Sequence, residues 1–276
     1  MGEKFLMKGN EALAEAAIRN GCKHFFGYPI TPQTEVAAYM AKRMPKIGGT
    51  YLQAESEIAA INMVLGCAST GARAMTSSSS PGISLKGEGI SYIIGSDLPC
   101  LIINVMRGGP GLGGIQPSQA DYWQATKAPG HGDGQVLVFA PSSVQEIVNL
   151  IGQAFDLAET YRMPAMILAD GMLGQMMEPV EFPEVVPTPH EKPWALTGTK
   201  GQRKPNIVNS LYLQPQELER TIIERQKRYD IIREKEVQVE LQYMDDAEFA
   251  VVAYGATARV VKSAVSKARA KGIKVG

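Results

Sequence analysis

The sequence predicts an α/β fold, in which a mostly parallel sheet carries helices on both faces. From residue 9 to residue 171, short apolar runs alternate with amphipathic stretches, as expected of repeated strand–helix units. The run at 100–106 is typical of a strand that helices cover on both faces. Three loops directly follow such runs, at 28–34, 76–82 and 107–114. Open α/β sheets bind ligands outside the carboxyl ends of their strands, so these loops are the first places to look for a site.

The predicted elements follow one another with few interruptions. The first helix (NEALAEAAIRNG) ends at Gly21, and the helix that starts near residue 55 has Ile58, Ile61 and Leu65 on its apolar face. Short apolar runs bounded by turn residues separate these helices and predict the strands. Strands are predicted at 24–28, 51–53, 73–76, 100–106, 136–140 and 165–169. Helices are predicted at 10–21, 35–43, 55–69, 83–95 and 143–161.

The composition changes after Glu178. Seven prolines lie between Pro179 and Pro215, which predicts an extended linker over residues 179–245. Within it, alternating charges at 216–241 favour a solvent-facing helix. Residues 246–276 have the pattern of strand, turn, helix and strand, the beginning of a second, incomplete α/β domain. One such unit is too small to bury a core, so we expect the natural chain to continue beyond Gly276 or this one to be truncated.

Composition excludes several classes of function. Lys+Arg and Asp+Glu both number 28, so the chain lacks the positive charge typical of nucleic-acid binders. No apolar stretch is long enough to span a membrane, and the first residues lack a signal-peptide core, which predicts a cytoplasmic protein. The three cysteines are far apart among apolar neighbours and form no CxxC, so we expect free thiols and no iron–sulfur cluster on this chain. No residues are assigned as metal ligands.

Two glycine-containing motifs and a serine run are further candidates for ligand sites. Residues 109–114 satisfy G-x-G-x-x-G, but Ile-Gln-Pro follows where a dinucleotide fingerprint needs a helix, so a loop near a site is the better interpretation. Asp133 begins a possible magnesium–diphosphate motif that lacks its downstream asparagine ligand. The serines at 77–80 either donate hydrogen bonds to a ligand or form a strand end followed by a helix N-cap with proline at its first position.

Among the charged residues, Glu57 is the candidate for chemistry. It begins the run EIAAINMVLG, so an apolar helix face lies on its C-terminal side. A carboxylic acid among apolar side chains keeps its proton to a higher pH than in water, and near neutral pH it can share that proton with a ring nitrogen. Glu55 is expected to face solvent. The alternative is a surface or capping role for Glu57, which is the commoner role of a glutamate.

Three segments, read together, carry a family resemblance. They are FGYPITPQTE at 26–35, QAESEIAAINMVLGCASTGARAMTSSSSPGISL at 53–85 and LPCLIINVMRGGPGLGGIQPSQADYWQATK at 98–127. The sequence is similar to the alpha-type subunit of the 2-oxoacid:ferredoxin oxidoreductases from about residue 5 to the C-terminus, and its YPITP and SEIAA blocks are specific in this order. Within the family it most resembles the branched-chain (3-methyl-2-oxobutanoate) subunits, with the 2-oxoglutarate:acceptor enzymes as the alternative.

The resemblance implies a role for each matching position. Glu57 matches the catalytic glutamate that hydrogen-bonds N1′ of the thiamine diphosphate aminopyrimidine and so activates the cofactor. Thr31 matches a residue near cofactor and substrate. Arg107 matches an arginine that holds the carboxylate of the 2-oxoacid, a planar group that suits a guanidinium. The loop expected to contact the cofactor comprises Tyr28, Pro29, Ile30 and Thr31.

The resemblance also implies domains and partners. Residues 1–178 would form a pyrimidine-type thiamine diphosphate domain, and 246–276 would begin a transketolase C-terminal-like domain. A beta-type subunit would supply Mg²⁺ and the diphosphate ligands, and a gamma-type subunit and a ferredoxin-like iron–sulfur subunit would complete the complex. The reaction would be oxidative decarboxylation of a 2-oxoacid to its coenzyme A thioester, with electrons passing to ferredoxin. Two alternatives are a scaffold module in an electron-transfer complex and a nucleotide-dependent dehydrogenase that uses the 109–114 loop.

Overall fold

The computed structural model describes residues 3–184 and 190–276. These residues divide into two compact units, one ending at Ser210 and the other comprising Leu211–Gly276. The strand Met177–Glu181 crosses the domain boundary predicted at residue 178. The predicted boundaries at 178 and 245 stay predictions. No helix in these two ranges combines the length and the apolar character needed to cross a bilayer.

The first unit is built on a six-stranded sheet, in the order β3-β2-β4-β5-β7-β6, and every pairing in it is parallel. Every residue of β4, β5 and β7 is buried, because helices cover both faces of the sheet centre. The predicted fold class is therefore confirmed. The strands of this unit are β1 (Lys4–Lys8), β2 (His24–Gly27), β3 (Thr50–Gln53), β4 (Ala74–Ser78), β5 (Leu101–Met106), β6 (Leu137–Phe139), β7 (Ala165–Asp170) and β8 (Met177–Glu181).

Helices connect these strands and pack in two groups. In the first unit, α1 packs on α2 and α6, and α3 packs on α4. Seven α-helices and a 3-10 turn (Met44–Ile47) are described there: α1 (Gly9–Arg19), α2 (Thr34–Arg43), α3 (Glu57–Ser69), α4 (Ser80–Gly95), α5 (Tyr122–Lys127), α6 (Val144–Tyr161) and α7 (Gly171–Gln175). Five of them correspond to predicted helices. The short α5 and α7 were not predicted, since five or six residues carry too little periodicity to identify a helix.

A second, two-stranded sheet was also missed by the sequence analysis. β1 pairs antiparallel with β8, from Lys4 opposite Glu181 to Lys8 opposite Met177. Residues 179–181, predicted to begin the linker, therefore belong to a strand. The reason is that the two strands lie more than 160 residues apart, and neither is a continuous apolar run, so local pattern does not reveal their pairing.

The second unit contains α8 (Pro215–Lys235) and α9 (Gly255–Arg269). The charged helix ends six residues before its predicted end at 241, beyond which the chain is irregular. The predicted strands that flank α9 are reduced to one parallel bridge, between Phe249 and Val275. A strand is defined by a ladder of backbone hydrogen bonds, and these two runs share only a short one.

Candidate functional site

The carboxyl ends of β2, β4 and β5 lie side by side, because these strands are consecutive neighbours in the sheet. The loops that leave them begin at Tyr28, Ser79 and Arg107. All three loops singled out in the sequence therefore meet at one edge of the sheet, where α/β proteins bind ligands. The side chains of this edge, together with the first turn of α3, form the candidate site.

Glu57 is the first residue of α3. Its N-cap is Ser56, whose hydroxyl accepts a 3.1 Å hydrogen bond from the amide of Ala59. Glu57 is only 6% exposed, whereas Glu55 is exposed. The helix begins two residues later than predicted, and the capping function belongs to Ser56. A solvated surface position for Glu57 is excluded, because its side chain turns inward against α4.

Gly82, in the first turn of α4, makes room for the Glu57 carboxylate. A Cβ atom at residue 82 would lie 2.8 Å from Glu57 Oε1 and 2.1 Å from Ser78 Oγ. Real Cβ atoms do not approach oxygen so closely, so any side chain at residue 82 would require the Ser78 and Glu57 side chains, or the start of α4, to move. The glycine thus brings a hydroxyl and a carboxylate to the same position.

Arg107 and Thr31 are directly connected. The Arg107 guanidinium donates from Nη1 to the Thr31 carbonyl oxygen at 2.9 Å and from Nη2 to the Leu112 carbonyl oxygen at 3.2 Å. Arg107 is 7% exposed, and its Nε has no hydrogen-bond partner within the described part of the chain. The guanidinium therefore holds the loops after β2 and β5 together and retains donor capacity.

A polar network fixes the backbone at Arg107, and the sequence analysis did not identify it. The Ser80 hydroxyl donates to Asp121 Oδ2 at 2.6 Å and accepts from the Arg107 amide at 3.0 Å. Asn104 Nδ2 donates to the same Asp121 oxygen at 3.0 Å. The sequence signal that was overlooked is Asn104 itself, since a polar residue inside a fully buried strand needs a buried partner.

Gln33 anchors the loop after β2 to the neighbouring strand β4. Gln33, 1% exposed, donates to the Tyr28 carbonyl oxygen at 3.2 Å and accepts a 2.5 Å hydrogen bond from the Ser77 hydroxyl. Tyr28, Pro29 and Thr31 are exposed on this loop. Their backbone is therefore held by the neighbouring strand β4, while their side chains face outward.

Several buried polar atoms at this edge have no partner among the described residues. They are the hydroxyls of Thr76, Ser78 and Ser79, in addition to Arg107 Nε. Ser79 occupies the N-cap of α4, but Pro81 is the second helical residue rather than the predicted first, and the Ser79 side chain makes no capping hydrogen bond. Because an unpaired buried hydroxyl is costly, this pattern favours the ligand-binding interpretation of the serine run.

The remaining motifs do not form nucleotide sites in the described residues. The 108–116 loop closes on itself through hydrogen bonds from Gly108 to Gln116 and from Gly114 to Gly108, and no helix begins on its glycines. Asp133, from the possible magnesium–diphosphate motif, lies in a turn between α5 and β6. These findings leave the edge formed by β2, β4 and β5 as the best-built site.

The sequence-predicted residues are thus brought together in two linked parts. Thr31 and Arg107 contact each other directly. Glu57 meets the same edge through Ser78 and Gly82, and Ser80 continues from there to Arg107. Besides Asp121, the sequence analysis missed the charged residue Lys86, which is fully buried beside Glu57.

The chain was then compared with known proteins. Residues 15–256 match the family described as pyruvate flavodoxin/ferredoxin oxidoreductase, thiamine diphosphate-binding. The chain is 50% identical over 272 residues to the ketoisovalerate oxidoreductase subunit VorB of Methanothermobacter marburgensis, covering 98% of this chain and 77% of that protein. It is 36% identical over 304 residues to the 2-oxoglutarate synthase subunit KorA of Methanocaldococcus jannaschii, covering 98% of this chain and 80% of that protein.

A solved structure agrees with these relatives. The 2-oxoglutarate:ferredoxin oxidoreductase from Magnetococcus marinus, with 2-oxoglutarate, coenzyme A and succinyl-CoA bound, superposes with a TM-score of 0.89 at 28% identity. The match covers 99% of this chain, which spans 53%, about half, of that solved chain. The family and enzyme class expected from the sequence are confirmed. The chain belongs to the thiamine diphosphate-binding family of pyruvate flavodoxin/ferredoxin oxidoreductases, as an alpha-type 2-oxoacid:ferredoxin oxidoreductase subunit.

Proposed function

We propose that this chain supplies the pyrimidine-activating half of a thiamine diphosphate site in an enzyme that oxidatively decarboxylates branched-chain 2-oxoacids, most favourably 3-methyl-2-oxobutanoate. The observation that carries the proposal is the Glu57 carboxylate, 6% exposed and enclosed by Gly82 at the ligand-binding edge of the sheet. The substrate assignment is supported by the 50% identity to a subunit named ketoisovalerate oxidoreductase.

The residues of this edge fit the pyrimidine end of the cofactor. A buried carboxyl group is suited to a hydrogen bond with a ring nitrogen, since it can hold or release a proton there. Thiamine diphosphate, when bound, supplies the carbon nucleophile that attacks the keto group and the electron sink for loss of carbon dioxide. The Ser78 and Ser79 hydroxyls, buried and without partners in the described ranges, are suited to polar atoms of the same ring. The loop Tyr28–Thr31 would cover it.

Arg107 would bind the substrate carboxylate. Its Nε lacks a partner in the part of the chain that the structure describes, and the guanidinium is already oriented by the Thr31 and Leu112 carbonyl oxygens. A planar guanidinium that is already held in place loses little conformational entropy when it donates hydrogen bonds to a carboxylate. Thr31 lies beside it and would contact both substrate and cofactor.

The rest of the reaction is assigned to other subunits. A beta-type subunit would hold Mg²⁺ and the diphosphate, a ferredoxin-like subunit the iron–sulfur clusters, and a gamma-type subunit would complete a complex that also uses coenzyme A. The relatives' names identify them as subunits, and the solved relative contains coenzyme A. The three cysteines here are free and widely separated, which favours a reducing cytoplasm and leaves no cluster motif on this chain.

The test is reconstitution of the complex with Glu57→Gln. We expect turnover with a viologen dye as electron acceptor to fall by a factor on the order of 10²–10⁴, the contribution of lost acid–base catalysis. Binding of thiamine diphosphate, measured by titration calorimetry, should weaken as well. Glu55→Gln is the matched control, since Glu55 is exposed two residues away. Unchanged turnover and cofactor affinity in Glu57→Gln would reject the assignment and favour the scaffold alternative.

A substrate panel separates the two enzymatic alternatives. If the branched-chain assignment is right, 3-methyl-2-oxobutanoate should give a higher kcat/KM than 2-oxoglutarate. The second candidate, a 2-oxoglutarate enzyme, is favoured by the 36% identity to KorA and by the ligand of the solved relative. A preference for 2-oxoglutarate would support it and leave the role of Glu57 intact.

A further inference from the structure

A lysine is buried directly behind the candidate catalytic carboxylate. Lys86, on α4, is 0% exposed, and its Nζ donates a 3.3 Å hydrogen bond to the backbone carbonyl oxygen of Glu57. This is its one hydrogen bond, and it has no ion pair, within the described residues. An ammonium group has three donors and loses strong hydration when buried, so a lysine in this position needs an explanation.

Lys86 lies on the face of α4 that packs closely against α3. Gly82 and Gly89 lie one turn before it and one turn after it on α4, and both face α3. A Cβ at Gly89 would be 2.4 Å from Cγ2 of Ile61, as a Cβ at Gly82 would clash with Glu57. The sequence therefore uses the smallest residue on either side of a long cationic one. An apolar side chain would pack here without the cost of burying charge.

The charge environment of Lys86 is dominated by Glu57. Burial lowers the pKa of Lys86 to about 8, and the attraction of Glu57 opposes part of that decrease. Of the elements packed on α4, α3 contributes Glu57 and Cys67, and β5 contributes no titratable group. The segment between β5 and β6 brings Arg107 and Asp121 to Ser80 and the His131 carbonyl to Ser91, towards the two ends of α4.

We propose that Lys86 is a positioning residue for Glu57. Its ammonium group holds the first turn of α3, and with it the Glu57 side chain, through the hydrogen bond to the Glu57 carbonyl. This inference rests on the proposed function. Its consequence is a dependence on pH: as Lys86 loses its proton, its charge-assisted hydrogen bond to the Glu57 carbonyl weakens, so both cofactor binding and turnover should weaken.

The experiment compares Lys86→Met and Lys86→Arg in the reconstituted complex over pH 6–10, by turnover and by calorimetric affinity for thiamine diphosphate. In the unmodified complex, affinity should fall by roughly tenfold or more above a midpoint near Lys86's own pKa of about 8. Lys86→Met should show the weak, high-pH affinity at every pH. Lys86→Arg should move the fall to higher pH, because a guanidinium stays protonated. Lys46→Met, at an exposed lysine, is the control for removal of one positive charge.

The outcomes separate this inference from the proposed function. If Glu57→Gln lowers affinity but Lys86→Met keeps the unmodified pH profile, the function stands and the role of Lys86 is wrong. If Glu57→Gln changes nothing, the proposed function and this inference fall together. In a Glu57→Gln background, Lys86→Met should have no further effect on affinity, since Lys86 acts through Glu57. If a variant does not assemble, the affinity of the unmodified complex is measured as a function of pH instead. An affinity that does not change across pH 8 also overturns the inference.

Discussion

Gly82 lies against the carboxylate of Glu57, so closely that a Cβ atom on it would be 2.8 Å from Glu57 Oε1. The two residues lie in the first turns of different helices, α4 and α3, which follow different strands. Their contact therefore fixes the distance between the loops that follow β3 and β4, the strands on either side of β2. It also directs the Glu57 side chain inward, and substitutions at Gly82 can test this geometry.

Gly82→Ala should displace the Glu57 carboxylate. The added methyl group would also lie 2.1 Å from Ser78 Oγ, so either the serine and the glutamate move or the start of α4 shifts. We expect cofactor affinity and turnover of the reconstituted complex to fall by roughly tenfold or more, about 1.4 kcal/mol in binding free energy.

Gly87→Ala is the control for this substitution. Gly87 lies on the same helix, and a Cβ there would meet nothing within 4 Å. Alanine is the better helix former, so this variant should be more stable by about 0.5–1 kcal/mol with unchanged cofactor affinity. Equal losses of affinity in both variants would mean that α4, rather than Glu57, is disturbed.

Arg107→Lys should weaken use of the 2-oxoacid more than it weakens the chemistry. A lysine cannot reproduce the planar pair of hydrogen bonds to Thr31 and Leu112 that orients the guanidinium. We expect KM for the 2-oxoacid to rise by roughly 10- to 100-fold, the effect of one charge-assisted hydrogen bond, with a smaller change in kcat. A normal KM in steady-state assays would contradict substrate binding by Arg107.

Ser78→Ala should separate stability from ligand binding. The Ser78 hydroxyl is buried without a partner in the described residues, so its removal takes away an unpaired polar group. Before the cofactor is added, we expect the variant complex to melt at the same temperature or slightly higher. Affinity for thiamine diphosphate should fall if the hydroxyl serves the ligand. A lower melting temperature with unchanged affinity would assign the hydroxyl a structural role instead.

Glu159→Gln should weaken the attachment of residues 192–196 to the rest of the first unit. Glu159 accepts hydrogen bonds from Arg73 Nη2 at 2.8 Å and Lys192 Nζ at 2.5 Å, and Lys192 also donates to the Gly71 carbonyl oxygen. Loss of these charge-assisted bonds should destabilise this attachment by about 1–3 kcal/mol. The backbone amide of Leu196, which donates to Ser69, should then exchange hydrogen faster.

The same carboxylate predicts an acid dependence. Burial alone would raise the pKa of Glu159, but hydrogen bonds from Arg73 and Lys192 outweigh it and lower that pKa. A lowered folded-state pKa adds stability above the unfolded value of about 4.3, and the gain is lost as pH falls below it. Protection of Leu196 should therefore decrease between about pH 5 and 3 in the unmodified protein and stay flatter in Glu159→Gln. Asp156→Asn, also bonded to Arg73 but with a side chain 41% exposed, should show the smaller effect.

The sequence predicts the central sheet well because its signals are local. Each parallel strand is a short apolar run followed by a loop, so the local pattern is enough to assign the strands of the central sheet and five helices. The β1–β8 ribbon could not be assigned in this way, since its partners lie at opposite ends of the first unit and carry no distinctive pattern. The second unit fails for a related reason, because its strand-like runs form a single bridge.

The candidate site likewise contains some residues that local motifs predict and others that only contacts between elements reveal. Glu57, Thr31 and Arg107 were identified through their motifs, and their proximity follows from the neighbouring ends of β3, β2, β4 and β5. Of the supporting residues, Ser80 was noted only as part of the serine run. Asn104, Asp121 and Lys86 were not identified, because they act through contacts between elements. A lysine in a helix is ordinarily a solvated residue, so its letter alone gives no sign of burial.

By itself, the sequence determined the parallel α/β architecture, the three candidate residues and their resemblance to the 2-oxoacid oxidoreductases, because periodicity and motif are properties of neighbouring residues. Only the tertiary structure decided that Glu57 is enclosed by Gly82, that Arg107 is tied to Thr31 and that Lys86 is buried behind the carboxylate. These relationships depend on how closely α3, α4 and the strand ends pack. Packing distance is set by all the contacting side chains together and cannot be read from any one segment.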